Sequence, residues 1–186
     1  MSENAREKIM KAAKELAQTR GYAGLNFRDI AETVGIKSAS VYHHFASKSE
    51  LGVAVARRYW EDTQALLDSI ASKTKEPVRS LRRYPEVFRT TLENGNRMCL
   101  CSFMSAEYDE LPPEVRKEVQ TFTDVNVKWI AKQLVEAKLE KEKKSHQRAS
   151  AIFAAISGAQ LVARSRSDLK LFDSLVVGYR DAGLLP

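Results

Sequence analysis

Apolar residues recur along most of the chain with the spacing of an α-helix, and runs of alternating β-branched residues are absent. In the first segment the apolar residues stand at i, i+3, i+4, i+7 and i+8: Ile9, Ala12, Ala13, Leu16 and Ala17. Such a stripe is typical of a helix with one buried face. Glycine and proline are also few, at 8 and 5 residues. We therefore predict an all-α fold.

Turn and capping residues divide the first fifty residues into three short helices. Gly21 is suited to end the first helix, Asn26 to cap the start of the second, and Gly35 to end it. The third helix is predicted at about residues 38–45. No repeat and no low-complexity linker interrupts the pattern.

Six further helices, most of them longer, complete a predicted total of nine. Ser47 and Glu50 form a capping-box pattern that opens a long helix to about residue 71. Pro77 is tolerated in the first turn of the next helix, to about residue 92, which Pro85 should kink or split. The last four predicted helices cover about residues 97–108, 113–138, 145–164 and 168–182.

Composition narrows the class of protein. The chain carries 30 Lys and Arg against 24 Asp and Glu, a formal net charge of +6 that favours an acidic partner such as nucleic acid. No apolar run approaches the roughly 20 residues of a membrane helix, and the N-terminus lacks the apolar core of a signal peptide. The two cysteines form no disulfide framework. We expect a cytoplasmic protein without membrane contact.

The second and third short helices fit a helix-turn-helix, in which a tight turn lets the second helix enter the major groove. Gly35 supplies the turn and Ile36 fills the angle between the helices. The residues expected to anchor the pair to the core are Ile30, Ala31, Val34, Val41 and Phe45. The small or polar side chains of Ser38, Ala39 and Ser40 then face outward, where they allow close approach to base edges.

The residues of this region resemble the tetracycline-repressor (TetR) family. The resemblance rests on Gly21-Tyr22, Phe27-Arg28-Asp29-Ile30-Ala31, Val34-Gly35-Ile36, Val41-Tyr42-His43-His44-Phe45, Ser47-Lys48 and Leu51. It covers about residues 4–64; the remainder is similar only in helical content and length. It implies a nine-helix TetR-like fold, with an N-terminal three-helix DNA-binding domain at 4–64, its helix-turn-helix at about 27–46, and a C-terminal ligand-binding and dimerisation domain at 65–186.

The resemblance also implies a function and its residues. A ligand-responsive transcriptional repressor would bind a palindromic operator in double-stranded DNA as a homodimer, with no cofactor. The aromatic residues of the second half favour a small apolar or aromatic effector. The implied DNA contacts are Arg28, Lys37, Ser38, Ala39, Ser40, Tyr42, His43, His44 and Lys48. Lys48 opens the fourth helix, so its charge and the helix amides together would hold a phosphate. The family often has Ser or Thr at the position of Lys37, which leaves Ser38 as an alternative cap.

The aromatic residues and the small residues of the second half each allow two structural interpretations. The candidates for an effector pocket are Trp60, Phe88, Phe103, Phe122, Trp129 and Phe153; the alternative is that they fill the core. In the family the last two helices pair across a two-fold axis into a four-helix bundle, and the small residues Ser157, Gly158 and Ala159 would let a partner helix come close. Periodicity alone also allows an internal core there.

The sequence contains residues that bear on three other kinds of function: redox sensing, metal binding and catalysis. Cys99 and Cys101 are either structural residues or redox-sensing thiols activated by nearby Arg97; two thiolates are too few for a zinc site. The adjacent His43 and His44 point about 100° apart on a helix, which disfavours a metal site. Catalysis needs convergent groups, and the carboxylates of Glu107, Asp109 and Glu110 fit a solvated helix end. We therefore expect no enzyme and no metal.

Overall fold

The computed structural model describes residues 4–186, and within that range all regular secondary structure is helical. The α-helices are α1 Ala5–Arg20, α2 Phe27–Val34, α3 Ser38–His44, α4 Lys48–Thr74, α5 Pro77–Arg83, α6 Glu86–Glu93, α7 Leu100–Ser105, α8 Pro113–Glu136, α9 Glu142–Ser165 and α10 Leu169–Asp181, with 3-10 turns at Tyr22–Gly24 and Tyr108–Glu110. Helices α5 and α6 are the predicted fifth helix, split at Pro85. Over the described residues this confirms the all-α, nine-helix prediction.

Local capping residues set the ends of the first helices as predicted. The Asn26 side chain accepts a hydrogen bond from the backbone N–H of Arg28 at 2.8 Å, so it caps α2. Gly21 and Gly35 end α1 and α2 with φ values of 66° and 75°. The Ser47 hydroxyl accepts from the Glu50 N–H at 3.1 Å, and the Glu50 carboxylate accepts from the N–H of Ala46 at 2.9 Å. The reciprocal bond of the capping box thus reaches one residue further back than in the usual motif.

The start of α3 departs from one expectation. Lys37 occupies the cap position in an extended conformation and gives no side-chain cap, while Ser38 is the first helical residue. The alternative that Ser38 replaces the usual cap is therefore wrong. The reason is local: the Ser40 N–H already bonds to the Lys37 carbonyl at 2.8 Å, which fixes the first turn through the backbone.

The helix predicted at 97–108 is shorter than expected. Only Leu100–Ser105 is α-helical, followed by the turn Tyr108–Glu110. The backbone N–H of Cys99 donates instead to the buried side chain of Gln160 at 3.0 Å. Gln160, 61 positions away, thus accepts from a backbone donor that lies just before the observed start of α7. In contrast, α9 begins at Glu142, three residues earlier than predicted.

Two compact units make up the described chain. The first contains residues 4–60 and 100–121, and its core includes Ile9, Ala13, Leu25, Ile30, Val41, Phe45, Leu51 and Val115. The second contains residues 61–99 and 122–186, and its core includes Leu67, Leu81, Tyr84, Phe88, Ile130, Leu134, Ile152 and Phe172. The predicted domain boundary at 64/65 stays a prediction. None of the helices in 4–186 is long and apolar enough to cross a membrane.

Candidate nucleic-acid interface and effector region

Helix α3 lies on the surface of the first unit, anchored from one side. Val41 and Phe45 are buried, at 0% and 1% exposure. The opposite side carries the predicted DNA contacts: Lys37, Ala39, Tyr42 and His43 are exposed, and Ser38, Ser40 and His44 are half-buried. The sequence-predicted outward face is therefore accessible, as entry into a groove requires.

Four predicted DNA contacts from three helices meet at one open cleft of about 350 Å³. They are Arg28 of α2, Ser38 and Tyr42 of α3, and Lys48 of α4. The remaining lining residues are Ala23, Leu25, Asn26 and Phe27. Two cations, a hydroxyl and a phenol thus share a concave surface at the leading end of α3. Such a set suits the oxygens of a phosphate backbone.

Aromatic neighbours fix two of these side chains. The Tyr42 ring lies 4.7 Å from the Phe27 ring, centroid to centroid, at an interplanar angle of 60°. The Lys48 ammonium lies 4.4 Å from the centroid of the Tyr22 ring, within the range of a cation–π contact. Burial, and secondly the charge of Glu114, raise the pKa of Tyr22, so this phenol is neutral at physiological pH. Both contacts restrict these side chains before DNA binds. Binding would therefore cost less conformational entropy.

The two histidines of α3 do not extend this cleft. Their rings approach each other edge to face, with centroids 5.4 Å apart. Across residues 4–186, no group of three or more His, Cys, Asp or Glu side chains is placed to hold a metal ion. His43 and His44 remain predicted contacts to DNA beside the cleft, together with Lys37, Ala39 and Ser40.

Three carboxylates tie the segment 100–121 to residues 4–60 within the first unit. Glu107 accepts from the backbone N–H of Tyr22 at 2.5 Å, and Glu114 is hydrogen-bonded to the Ser49 hydroxyl. Glu118 accepts from Arg57 at 2.6 Å and from the indole N–H of Trp60 at 2.8 Å. We call Glu107, Glu114 and Glu118 the carboxylate clamp.

The carboxylate clamp was not predicted. Glu107 was expected at a solvated helix end, which is wrong, because its carboxylate caps the turn that starts at Tyr22. The four-residue spacing of Glu114 and Glu118 on α8 was a usable signal, because such residues share one helix face. Their partners on α4 are Ser49, Arg57 and Trp60, which lie 65, 61 and 58 residues away. No local sequence pattern predicts contacts at such separations.

The electrostatics of the clamp favour charged carboxylates. For Glu114, the Ser49 hydrogen bond is the main cause that lowers the pKa. For Glu118, burial is the largest single influence and raises the pKa, but the hydrogen bonds from Arg57 and Trp60 and the charge of Arg57 together outweigh it. The net pKa of Glu118 is therefore below its usual value. Both groups are anionic at neutral pH.

Four of the six predicted effector residues lie in one aromatic cluster of the second unit. Phe153 contacts Phe88 and Phe122 with centroid distances of 6.3 and 6.1 Å, and Tyr84 stacks on Trp129 at 6.0 Å. Tyr84 also packs against Phe88 at 5.7 Å, which joins the two groups. The other two candidates belong to the first unit: Trp60 already donates to Glu118, and Phe103 is half-buried on α7. An effector role for all six stays a prediction.

Neither cysteine is in a disulfide bond, and both are buried, with 2% of Cys99 and 0% of Cys101 exposed. A redox-sensing thiol needs solvent access and an environment that stabilises the thiolate. Burial therefore favours the structural interpretation of both residues. Cys99 has a further structural role, since its N–H satisfies the buried Gln160 side chain.

Two parts of the chain match models of known protein families. Residues 9–55 match the family model described as bacterial regulatory proteins, tetR family. Residues 77–176, more than half of the chain, match the model of the transcriptional regulator LmrA/YxaF-like C-terminal domain. The first match contains the whole cleft formed by α2, α3 and the start of α4.

Individual relatives extend over nearly the full length. An uncharacterized HTH-type transcriptional regulator in the lacX 3' region of Lactococcus lactis is 28% identical over 178 residues, covering 92% of this chain and 89% of the relative. The Escherichia coli HTH-type transcriptional repressor NemR is 25% identical over 177 residues, covering 88% and 86%. A crystal structure of a TetR transcriptional regulator from Legionella pneumophila superimposes with a TM-score of 0.91 at 26% identity, covering 98% and 99%.

Proposed function

The chain belongs to the tetR family of bacterial regulatory proteins, and from this premise we propose that it is a repressor that binds a palindromic operator as a homodimer and leaves it when an effector binds. The observation that carries the proposal is the convergence of Arg28, Ser38, Tyr42 and Lys48 on one open cleft beside the exposed face of α3. The repressor name of its relative NemR supports the direction of regulation. The proposed role is binding, without catalysis.

In the proposed complex, the leading end of α3 enters the major groove. Ser38, Ala39 and Ser40 are short enough to bring the backbone close to base edges, with Lys37 beside them. Arg28 and Lys48 would contact phosphates on either side of the cleft, which sets the register of the helix without reading sequence. Two copies of α3 would occupy half-sites about one helical turn or more apart, roughly 34–36 Å.

The proposed homodimer forms through the last two helices. Leu161 and Val162 of α9 are 57% and 44% exposed, and Val177 of α10 is 50% exposed. Gly158 and Gly178 on the same helices have open space where a side chain would start. Exposed apolar residues beside small ones favour close packing against a second copy, as in the family's four-helix bundle.

The proposed signal is a small apolar or aromatic effector bound in the second unit. The aromatic cluster around Phe88, Phe122, Trp129 and Phe153 supports an apolar or aromatic chemistry. The burial of Cys99 and Cys101 favours ligand sensing over the alternative, a redox or electrophile sensor. An effector that binds one conformation of the dimer better would shift the separation of the two α3 helices and release the operator.

The Lys48→Ala variant tests the DNA-binding proposal. We expect weaker binding to every duplex and a slope of log affinity against log salt that is smaller by about one, because one phosphate contact is lost. Lys14→Ala is the matched control, since Lys14 also lies over an aromatic ring, Tyr59 at 5.4 Å, but outside the cleft. Binding curves at several salt concentrations measure both. A Lys48→Ala protein with relaxed base preference and an unchanged slope would contradict the phosphate assignment.

A further inference from the structure

A second cleft opens between α4 and α8 in the second unit, outside the residues that face DNA. It has a volume of about 410 Å³ and is lined by Gln64, Leu67, Asp68, Asp124, Val125, Lys128, Trp129 and Lys132. We call it the α4–α8 cleft. Its volume lies within the range of about 300–1,000 Å³ that is typical of small-molecule sites.

The apolar side of the α4–α8 cleft is rigidly supported. Leu67 is fully buried and Trp129 is 7% exposed. The Trp129 ring stacks on Tyr84 at an interplanar angle of 23°. Tyr84 in turn donates its hydroxyl to Asn126 at 2.9 Å, and Asn126 donates to the Phe122 carbonyl at 2.8 Å. A surface held in this way binds a flat ligand with little loss of conformational freedom.

Trp129, which lines the cleft, carries a buried hydrogen-bond donor that has no partner. Its indole Nε1 is buried and has no hydrogen-bond partner. Buried tryptophan N–H groups usually find an acceptor, because an unpaired buried donor is destabilising. The other indole of the chain follows this rule, since Trp60 donates to Glu118 at 2.8 Å. The unpaired group of Trp129 therefore points to a ligand that brings an acceptor.

The charges around the α4–α8 cleft balance. The lining contains two cations, Lys128 and Lys132, and two anions, Asp68 and Asp124, so it has no formal net charge. Lys132 also lies 3.9 Å from Glu136, outside the cleft. A lining of this kind selects neither an anion nor a cation by long-range attraction. The balance favours a neutral ligand.

We propose that the α4–α8 cleft binds a neutral aromatic carbonyl compound. The ring packs against Val125 beside Trp129, and the carbonyl oxygen accepts a hydrogen bond from Trp129 Nε1. The proposal rests on the proposed function in one respect, namely that the occupant is the effector that releases DNA. It adds to that function the location of the site, the acceptor group of the ligand and its neutrality.

Nuclear magnetic resonance of protein labelled with ¹⁵N in its tryptophan indoles tests the site directly. The two indole N–H signals are assigned with the Trp60→Phe and Trp129→Phe variants. The probes are acetophenone and cumene, which have similar shapes but differ in the carbonyl acceptor. We expect acetophenone to shift the Trp129 signal downfield and saturably while the Trp60 signal stays. Cumene should bind about 2- to 10-fold more weakly, the effect of one hydrogen bond.

Two substitutions on neighbouring positions of α4 locate the binding. Gln64→Phe fills the α4–α8 cleft from its exposed edge and should weaken acetophenone binding at least tenfold. Ala65→Phe adds the same ring to an exposed residue that does not line the cleft, and should leave the binding unchanged. An unshifted Trp60 signal and an unchanged melting temperature show that both variants are folded.

The outcomes separate this proposal from the proposed function. DNA binding without any probe tests the proposed function alone. A Trp129 signal that does not move with millimolar acetophenone, or that moves equally in Gln64→Phe, overturns the site. A shift without release of the duplex overturns the role of the occupant as effector. A shift accompanied by release, with the advantage of acetophenone over cumene lost in Trp129→Phe, supports the whole proposal.

Discussion

Gly21 shows how much a single residue contributes at the junction of α1 and the following turn. Its backbone has φ 66° and ψ −156°, a combination that residues with a Cβ rarely adopt. A Cβ at this position would also lie 2.1 Å from the carboxylate of Glu107. That carboxylate accepts from the Tyr22 N–H, and the Tyr22 ring lies beneath Lys48. Gly21 is thus connected to a proposed phosphate contact through two neighbouring residues.

We predict that Gly21→Ala lowers the free energy of unfolding by about 2–4 kcal/mol, from backbone strain and loss of the Glu107 hydrogen bond. Gly35→Ala is the control: its φ is 75° and its ψ 35°, and nothing lies within 4 Å of the added methyl. It should lose only about 1 kcal/mol. Urea denaturation of both variants measures the difference. Equal losses in the two variants would argue against the contact with Glu107.

The roles of residues that interact with the adjacent backbone were predictable from sequence, and the roles of residues with distant partners were not. Asn26, Gly21 and Gly35 were assigned from sequence because capping depends on the adjacent backbone. Arg28, Ser38, Tyr42 and Lys48 were assigned through the family resemblance, and the structure places them together. Glu107 was interpreted wrongly because its partner, Tyr22, is 85 residues away.

Helices α4 and α8 are joined in the first unit by the carboxylate clamp. Glu118 is 8% exposed at its side chain and receives hydrogen bonds from both Arg57 and Trp60. One turn earlier, Glu114 bonds to Ser49, the residue after Lys48. The clamp therefore fixes the helix whose first residue is the proposed phosphate contact. We infer that α8 positions Lys48 through α4.

We predict that Glu118→Gln destabilises the protein by about 1–2 kcal/mol at pH 7, because a neutral amide satisfies two donors less well than a carboxylate. Glu110→Gln, on the exposed turn, is the control and should change stability little. Thermal or urea unfolding of both variants measures the effect. A loss in Glu110→Gln as large as that in Glu118→Gln would contradict the role of the clamp.

The stability difference between wild type and Glu118→Gln is expected to depend on pH. Because the pKa of Glu118 is lowered in the folded protein, its contribution is fully present above the unfolded value of about 4.3 and is lost as pH falls through the lower folded pKa. The stability difference between wild type and Glu118→Gln should therefore be constant from about pH 6 to 7 and shrink below about pH 4. A difference that grows on acidification would contradict the direction of the shift.

At the scale of elements, the prediction was good where helical periodicity and local breakers decide the structure. The split of the predicted fifth helix followed from Pro85, which has no N–H to donate. The short α7 did not follow from periodicity, and the segment before it makes a distant contact, from the N–H of Cys99 to Gln160 on α9. A hydrogen bond between residues that are 61 positions apart in sequence cannot be predicted from a local pattern.

For the whole molecule, the proposed function requires two copies of α3 on one operator. We predict that Leu161→Asp, on the exposed apolar face of α9, converts a dimer to a monomer, because a charge would be buried in the interface. Operator affinity should then fall by at least about 100-fold, since the half-sites are no longer linked. Sedimentation equilibrium and binding titrations measure the two effects. Leu139→Asp, at a 37% exposed residue between α8 and α9, should leave both unchanged.

The proposed assignment of DNA binding and effector binding to different parts of the chain rests on the family resemblance. The helix-turn-helix pattern is local and specific, and it predicted an exposed α3 with Val41 and Phe45 buried. The α4–α8 cleft could not be predicted, since its lining comes from residues 64–68 and 124–132. Packing between distant helices decides which tryptophan keeps an unpaired donor.

Dimethyl sulfate footprinting tests the central claim most directly, because the reagent methylates guanine N7 in the major groove. The duplex is selected by wild-type protein from a random library. We expect protection in two major-groove segments whose centres are about 10 base pairs, or a multiple, apart. Ala39→Glu, which places a negative charge at the leading end of α3, should abolish both. Absence of protected guanines in a tightly bound duplex, or protection that survives Ala39→Glu, would contradict recognition through α3.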